Sequence, residues 1–128
     1  MDWQFDNSIP IYTQLVSKIE LAIVSGEYVR GQRLPTVRDL ATEAGVNPST
    51  MQRAFQELER LELVYTQRSS GRFVTEDVKV IENTKKQLAQ DNIRTFMGAM
   101  HRIGYSREEI IELLESSAEE ESDNGGNI

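Results

Sequence analysis

Cysteine is absent from the 128 residues, and histidine occurs once, at His101. A disulfide framework, a thiolate metal site and a thiol redox switch are therefore excluded, and one imidazole cannot build a zinc site alone. Long apolar runs are missing too: none approaches the roughly 20 residues that span a bilayer, so no membrane helix is expected. Met1-Asp2-Trp3-Gln4 carries neither the basic nor the apolar region of a secretion signal, and a cytoplasmic location is expected. Catalytic patterns are equally scarce. The chain has no Ser/His/Asp arrangement, no phosphate-cradling glycine loop and no cluster of metal ligands, so no catalytic residue, cofactor or metal is expected and an enzyme is not. The run Glu119-Glu120-Glu121 reads as solvated charge rather than an acid/base pair.

A net charge of −7 argues against nucleic acid until its distribution is followed along the chain. From Met1 to Thr75, eight basic residues meet nine acids; from Glu76 onward, six basic residues meet twelve acids. The acidity therefore belongs to the C-terminal half. Because exposed charges are screened beyond about 8 Å at physiological salt, a local basic surface in the first half can still engage phosphates.

Punctuation and periodicity divide that first half. After Asn7-Ser8-Ile9-Pro10, the residues Ile11, Leu15, Ile19, Ala22 and Ile23 recur at helical spacing until Gly26, which predicts a first helix. Glu27 to Pro35 is an extended connector, since the residue before a proline disfavours the helical region. Thr36 and Asp39 form a capping-box-like start for a second helix that buries Val37, Leu40, Ala41 and Ala44. Gly45 can adopt the left-handed stop, Val46 can plug the core, Asn47 can cap the next helix and Pro48 can open it. The third helix carries Met51, Ala54, Phe55, Leu58 and Leu61 on one face. Its outer face begins with Ser49, Thr50, Gln52, Arg53 and Gln56 and ends with Glu57, Glu59 and Glu62, so only its first turns can approach phosphates without repulsion. Leu63 to Thr66 and Arg72 to Thr75 read as two short strands around Gln67-Arg68-Ser69-Ser70-Gly71.

Two helices across a tight turn, followed by a β-hairpin, describe a winged helix-turn-helix from about Pro10 to Val74. Such a unit sets the start of its second helix in the major groove. Ser49 and Thr50 suit phosphate hydrogen bonds, Gln52 and Arg53 are long enough to test base edges, and Asn47 caps the helix between them and the turn. Arg38 is placed as a backbone clamp. Arg68, Ser69, Ser70, Gly71 and Arg72 form a wing for the minor groove or its phosphates.

After Thr75 a polar stretch leads to a helix expected from about Glu82 to Ile103, with Leu88, Ile93, Phe96, Met97, Met100 and Ile103 as its apolar positions. It is too apolar to stand alone in water and suits a dimerisation surface. Ser106 and Glu109 cap a short last helix expected to bury Ile110, Leu113 and Leu114. The fold class is thus mainly α with a small β wing, a winged helix-turn-helix followed by a short C-terminal helical region. The expected divisions are a DNA-binding domain over 1–75, a dimerisation region over 76–118 and a disordered acidic tail over 119–128.

The residues Ile9-Pro10-Ile11-Tyr12-x-Gln14, Gly26-x-Tyr28-x-x-Gly31-x-x-Leu34-Pro35-x-Val37-Arg38-x-Leu40-Ala41, Val46-Asn47-Pro48-x-Thr50-x-Gln52-Arg53-Ala54-Phe55, Leu58-Glu59 and Gly71-x-Phe73-Val74 carry a resemblance. In order and spacing they resemble the GntR-type winged helix regulators, in particular their short YtrA-like branch. The resemblance implies DNA contacts from Arg38, from Asn47 to Arg53 and from the wing around Gly71. It also implies a homodimer held by the C-terminal helices, repression of an operon that often encodes an ABC transporter, and autoregulation. Two departures stand out: such wings usually have a second glycine at Ser69 or its neighbour, and a threonine where Arg72 stands. Phe55 replaces a common tyrosine.

The expected partners are double-stranded DNA and a second copy of the chain. A dimer would set two recognition helices about 34 to 36 Å apart, one DNA turn, and require an inverted-repeat operator. Two other readings compete: a winged helix used for protein binding, and a metabolite-responsive regulator with its pocket at the dimer interface. The residues name no effector, operator or target gene.

Overall fold

The computed structural model describes residues 1–123, with side chains described through Ser117. Its elements are α1 (Ile11–Val24), α2 (Val37–Ala44), α3 (Pro48–Arg60), β1 (Val64–Gln67), β2 (Gly71–Val74), α4 (Val78–Arg102) and α5 (Arg107–Asp123). Mainly helical, with one two-stranded antiparallel sheet, this is the winged helix-turn-helix expected from the sequence. None of the described helices is long and apolar enough to cross a membrane.

Side chains at the helix ends account for the first three helices. The Gln14 side chain accepts from the Asp6 amide and donates to the carbonyls of Asp6 and Ile9, tying the N-terminal segment to α1. Trp3 Nε1 donates to Glu43 Oε2 at 2.7 Å, which fastens the same segment to α2. Thr36 Oγ1 accepts from the Asp39 amide, and Asn47 Oδ1 from the Ser49 amide, so each helix start has a free donor satisfied. At the end of α2, Gly45 takes φ +71°, and the Val46 amide reaches back to the Ala41 carbonyl. The end of α3 repeats this pattern with a different residue. Glu62 sits at φ +65° while the Leu63 amide bonds the Leu58 carbonyl at 3.0 Å, a Schellman closure in which glycine is the usual occupant.

α3 packs against both α1 and α2. Leu15, Ile19, Leu40, Met51, Phe55, Leu58, Leu63, Val64 and Val74 are completely or almost completely shielded from solvent, and they belong to one core cluster. Burial of each large side chain stabilises the unit by roughly 1.5 to 3 kcal/mol relative to exposure. The apolar face of α3 is therefore fixed inward, and its polar face is fixed outward by the same rotation.

The wing pairs Val64 with Val74 and Gln67 with Gly71 at its ends, one residue closer to the tip than the strands expected at Leu63 to Thr66 and Arg72 to Thr75. A third extended segment lies beside β2. The Leu34 amide bonds the Arg72 carbonyl, the Val74 amide bonds the Gln32 carbonyl, and the Gly31 amide bonds the Val74 carbonyl. Arg33 pairs with Phe73 across this edge.

α4 begins four residues earlier than expected, because Asp77 Oδ1 accepts from the Lys79 amide and starts the helix there. Its first turns contribute Val80 and Ile81 to the winged-helix core. Internal contacts accordingly place a first unit at Met1–Lys86 and a second from Gln87 onward, where the sequence suggested a break after Thr75. In the second unit, the Ser106 hydroxyl accepts from the Glu109 amide and the Glu109 carboxylate accepts from the Ser106 amide, completing the expected capping box on α5. Ile110 is buried, but Leu113 and Leu114, expected to be buried with it, are exposed. One chain supplies no cover for that turn of α5 among the described residues. α5 continues to Asp123, so the stretch expected as a tail starts within a helix; residues 124–128 of that expectation lie outside the described residues.

Candidate nucleic-acid interface

The start of α3 combines three properties. Pro48 occupies its first turn, no acid stands in that turn, and Asn47 caps it. The positive end of the helix dipole thus meets solvent without a carboxylate to neutralise it, while the Ser49 amide is bonded to Asn47 Oδ1 and the Thr50 and Met51 amides to the Asn47 carbonyl. Ser49 is exposed, and its hydroxyl donates to Asn47 Oδ1 at 2.8 Å. Thr50 and Gln52 are half-buried, and Arg53 is exposed. Met51, Phe55 and Leu58 are sealed in the core behind them.

Arg53 does not pair with Glu57. Its guanidinium lies over the Tyr12 ring, 3.7 Å from the centroid, while Glu57 is bound twice by Arg60. The hydrogen bond from Arg60 holds the Glu57 carboxyl below its ordinary pKa. Pro10, Ile11 and Tyr12 from the start of α1, with Ser49, Thr50 and Arg53 from the start of α3, line a cleft of about 440 Å³.

Arg38 is exposed on α2 and makes no ion pair among the described residues. Arg68, Ser69 and Ser70 occupy the exposed wing turn, closed by the Ser70 amide on the Gln67 carbonyl. Ser69 has φ +66° and Gly71 has φ +104°, so a serine occupies a left-handed position that glycine would fill without strain.

Arg72, grouped with the wing tip by sequence, turns back toward α3. Its Nε donates to Glu59 Oε1 at 3.1 Å and its Nη2 reaches Gln52 Oε1 at 3.5 Å. The Thr66 hydroxyl donates to the same Glu59 oxygen at 2.7 Å. Alternation along β2 explains the difference: Arg72 and Phe73 face opposite sides, and Phe73 stacks on Tyr65 at 5.6 Å. Glu59 is thereby matched by neighbouring donors rather than left as an unmatched negative charge on α3.

Sequence reasoning missed two side chains at this surface. Arg33 is exposed on the connector, and a Cβ placed on Gly71 would stand 3.2 Å from its Nε. The signal was Leu34-Pro35, whose forced extension turns Arg33 away from the buried Leu34; its neighbour on the wing is a long-range consequence. Tyr12 was quoted only as part of a motif, and its stacking with Arg53 depends on the packing of α1 against α3. Of the expected dimerisation positions, Ile93, Phe96 and Ile103 are exposed, while Leu88, Met97 and Met100 are half-buried.

The family model for bacterial regulatory proteins of the gntR family matches residues 11–74. The chain is 36% identical over 119 residues to the uncharacterized HTH-type transcriptional regulator YhcF of Bacillus subtilis, covering 93% of this chain and 98% of that protein. It is 29% identical over 109 residues to the HTH-type transcriptional repressor YtrA of the same organism, covering 84% of each. Among solved structures, a GntR family transcriptional regulator from Listeria monocytogenes superposes with a TM-score of 0.81 at 42% identity, over 88% of this chain and 98% of that one. The DNA-binding domain of AraR, solved in complex with an operator, superposes with a TM-score of 0.51 at 26% identity over 59% of this chain and 92% of that one.

Proposed function

From the membership of this chain in the gntR family of bacterial regulatory proteins, which makes it a DNA-binding transcription regulator and not an enzyme, we propose that it is a homodimeric repressor of an inverted-repeat operator. The observation that carries the assignment is the start of α3: an acid-free first turn with Ser49, Thr50, Gln52 and Arg53 on the side opposite the buried Met51, Phe55 and Leu58. The AraR domain, which shares the fold, is solved with operator DNA.

In this reading the first turns of α3 enter the major groove. The Thr50 hydroxyl holds a phosphate at the positive end of the helix dipole, the Ser49 hydroxyl exchanges its Asn47 partner for one, and Gln52 and Arg53 address base edges. Asn47 keeps the helix capped, and its amide nitrogen faces the adjacent backbone. Arg38 clamps a phosphate from α2. Arg68, Ser69, Ser70 and Gly71 carry the wing to the neighbouring groove, and Arg72 braces the wing on α3.

Dimerisation is supported by α4, a 25-residue helix with no buried residue. Ile93 is 61% and Ile103 69% exposed, a large apolar loss that a second copy would recover. Repression follows the name borne by the relative YtrA; bound across a promoter, such a dimer excludes polymerase. A transporter operon is the proposed target, on the resemblance to the same branch, and 1–75 with 76–118 are the proposed working divisions.

Selection of genomic fragments by the purified full chain tests this reading. Recovery of fragments sharing an inverted repeat, upstream of genes whose transcripts rise when the chain is deleted, supports it. Recovery of no common sequence at low salt, with the dimer intact, overturns it in favour of a protein-binding winged helix.

A further inference from the structure

Arg72 and Gln52 meet at the junction of wing and recognition helix, with Arg72 Nη2 at 3.5 Å from Gln52 Oε1. The bond is long, but its sense is fixed by chemistry. A guanidinium has only donors, so the Gln52 atom turned toward it is the carbonyl oxygen and the amide nitrogen points elsewhere. Arg72 is itself held in place: Glu59 Oε1 accepts from its Nε at 3.1 Å, Thr66 steadies that carboxylate, and the guanidinium lies 5.6 Å from the Phe55 ring centroid. Its side chain is 25% exposed, and that of Glu59 is 34% exposed. The amide nitrogen of Gln52 has no protein partner among the described residues.

A glutamine that reads adenine uses both ends of its amide, the oxygen accepting from N6 and the nitrogen donating to N7. With Arg72 drawing the oxygen toward the wing, the end of the Gln52 amide left to meet a base is its NH2 group, which either purine can accept at N7 but which the N6 amino group of adenine opposes. Guanine offers two acceptors, O6 and N7, on the same edge. Arg53, next in sequence, is likewise a donor without an acceptor. We propose that Arg72 is a positioning residue for base recognition, which fixes Gln52 as a donor and sets the operator position it addresses to guanine rather than adenine. This rests on the operator-reading role of α3 and names the base class that role selects.

The test is selection from a randomised duplex pool by the full chain and by Gln52→Ala, Arg72→Thr and Glu59→Gln variants, each checked for a cooperative melt. Gln52→Ala identifies the position by loss of preference there. At that position the unmodified chain is expected to enrich guanine over adenine by about tenfold, and Arg72→Thr to reverse or abolish the preference. Glu59→Gln, which loosens Arg72 without removing it, should move the same position in the same direction and serves where Arg72→Thr does not fold. Adenine preferred by the unmodified chain at that position, or a guanine preference untouched by both the Arg72 and Glu59 changes, overturns the proposal while leaving operator binding intact. A pool returned unenriched by the unmodified chain overturns the operator reading and this proposal together.

Discussion

The guanidinium of Arg53 lies 3.7 Å from the centre of the Tyr12 ring, so the first helix holds a side chain at the start of the third, where we propose that the operator is read. A ring face attracts a cation by about 0.5 to 1 kcal/mol at an exposed site, enough to favour one rotamer of a long side chain whose freedom would otherwise be lost on binding. Tyr12→Leu should therefore weaken operator affinity by about two- to fivefold, while Arg53→Ala should cost about 1 to 3 kcal/mol and relax preference at one operator position. Fluorescence anisotropy on the double variant is the decisive measurement. In an Arg53→Ala background the Tyr12 change should have little further effect; an equal loss in both backgrounds would show that Tyr12 acts independently of Arg53.

Glu62 and Ser69 both occupy left-handed backbone without being glycine. The conformation costs an L-residue roughly 1 to 2 kcal/mol, although part of any gain from glycine is returned as unfolded-state entropy. Glu62→Gly, at the closure of α3, should raise stability by about 0.5 to 1 kcal/mol. It should do so without altering the slope of a urea unfolding curve. Ser69→Gly should stiffen nothing in the core and change stability less, because the wing turn is exposed. A lower midpoint for Glu62→Gly would mean that the backbone strain is outweighed by contacts of the glutamate.

The sequence made legible whatever is decided within one turn of helix. Thr36, Gly45, Asn47 and Pro48 fixed the boundaries of α2 and α3, and the spacing of Met51, Phe55 and Leu58 fixed which face of α3 is buried. Asp77 was a readable cap for α4 but lies within the polar stretch after Thr75, ahead of the helix expected from Glu82. Arg72 illustrates the remaining limit. Period two along a strand says that it opposes Phe73, but the identity of the surface on each side comes from how the hairpin leans on α3, a contact 13 residues away at Glu59. Arg33 was missed for the same reason, since its bridge to Phe73 joins segments 40 positions apart.

Arg68 stands at the exposed wing tip and makes no ion pair among the described residues. It is thus free to replace one condensed cation on a phosphate, and Arg68→Ala should lower the slope of log affinity against log salt by about 1. Sequence preference should be unchanged. An altered base preference with an unchanged slope would assign Arg68 to base reading instead.

Ile93, Phe96 and Ile103 leave a large apolar surface on α4 exposed, at 61%, 41% and 69%, in a helix that buries no residue of its own. Each fully covered side chain of this kind is worth roughly 1.5 to 3 kcal/mol, and a two-fold interface uses each one twice. A charge placed there in both copies must lose its water or open the interface. Ile93→Glu combined with Phe96→Glu should therefore give a monomer by light scattering, and it should reduce affinity for a full inverted repeat to about that for a half-site. The winged-helix core lies in the first unit, around Phe55 and Leu58, so its cooperative unfolding should survive the change. A dimer that persists at micromolar concentration would place the interface on another surface, and the half-site comparison would then show whether two recognition helices still act together.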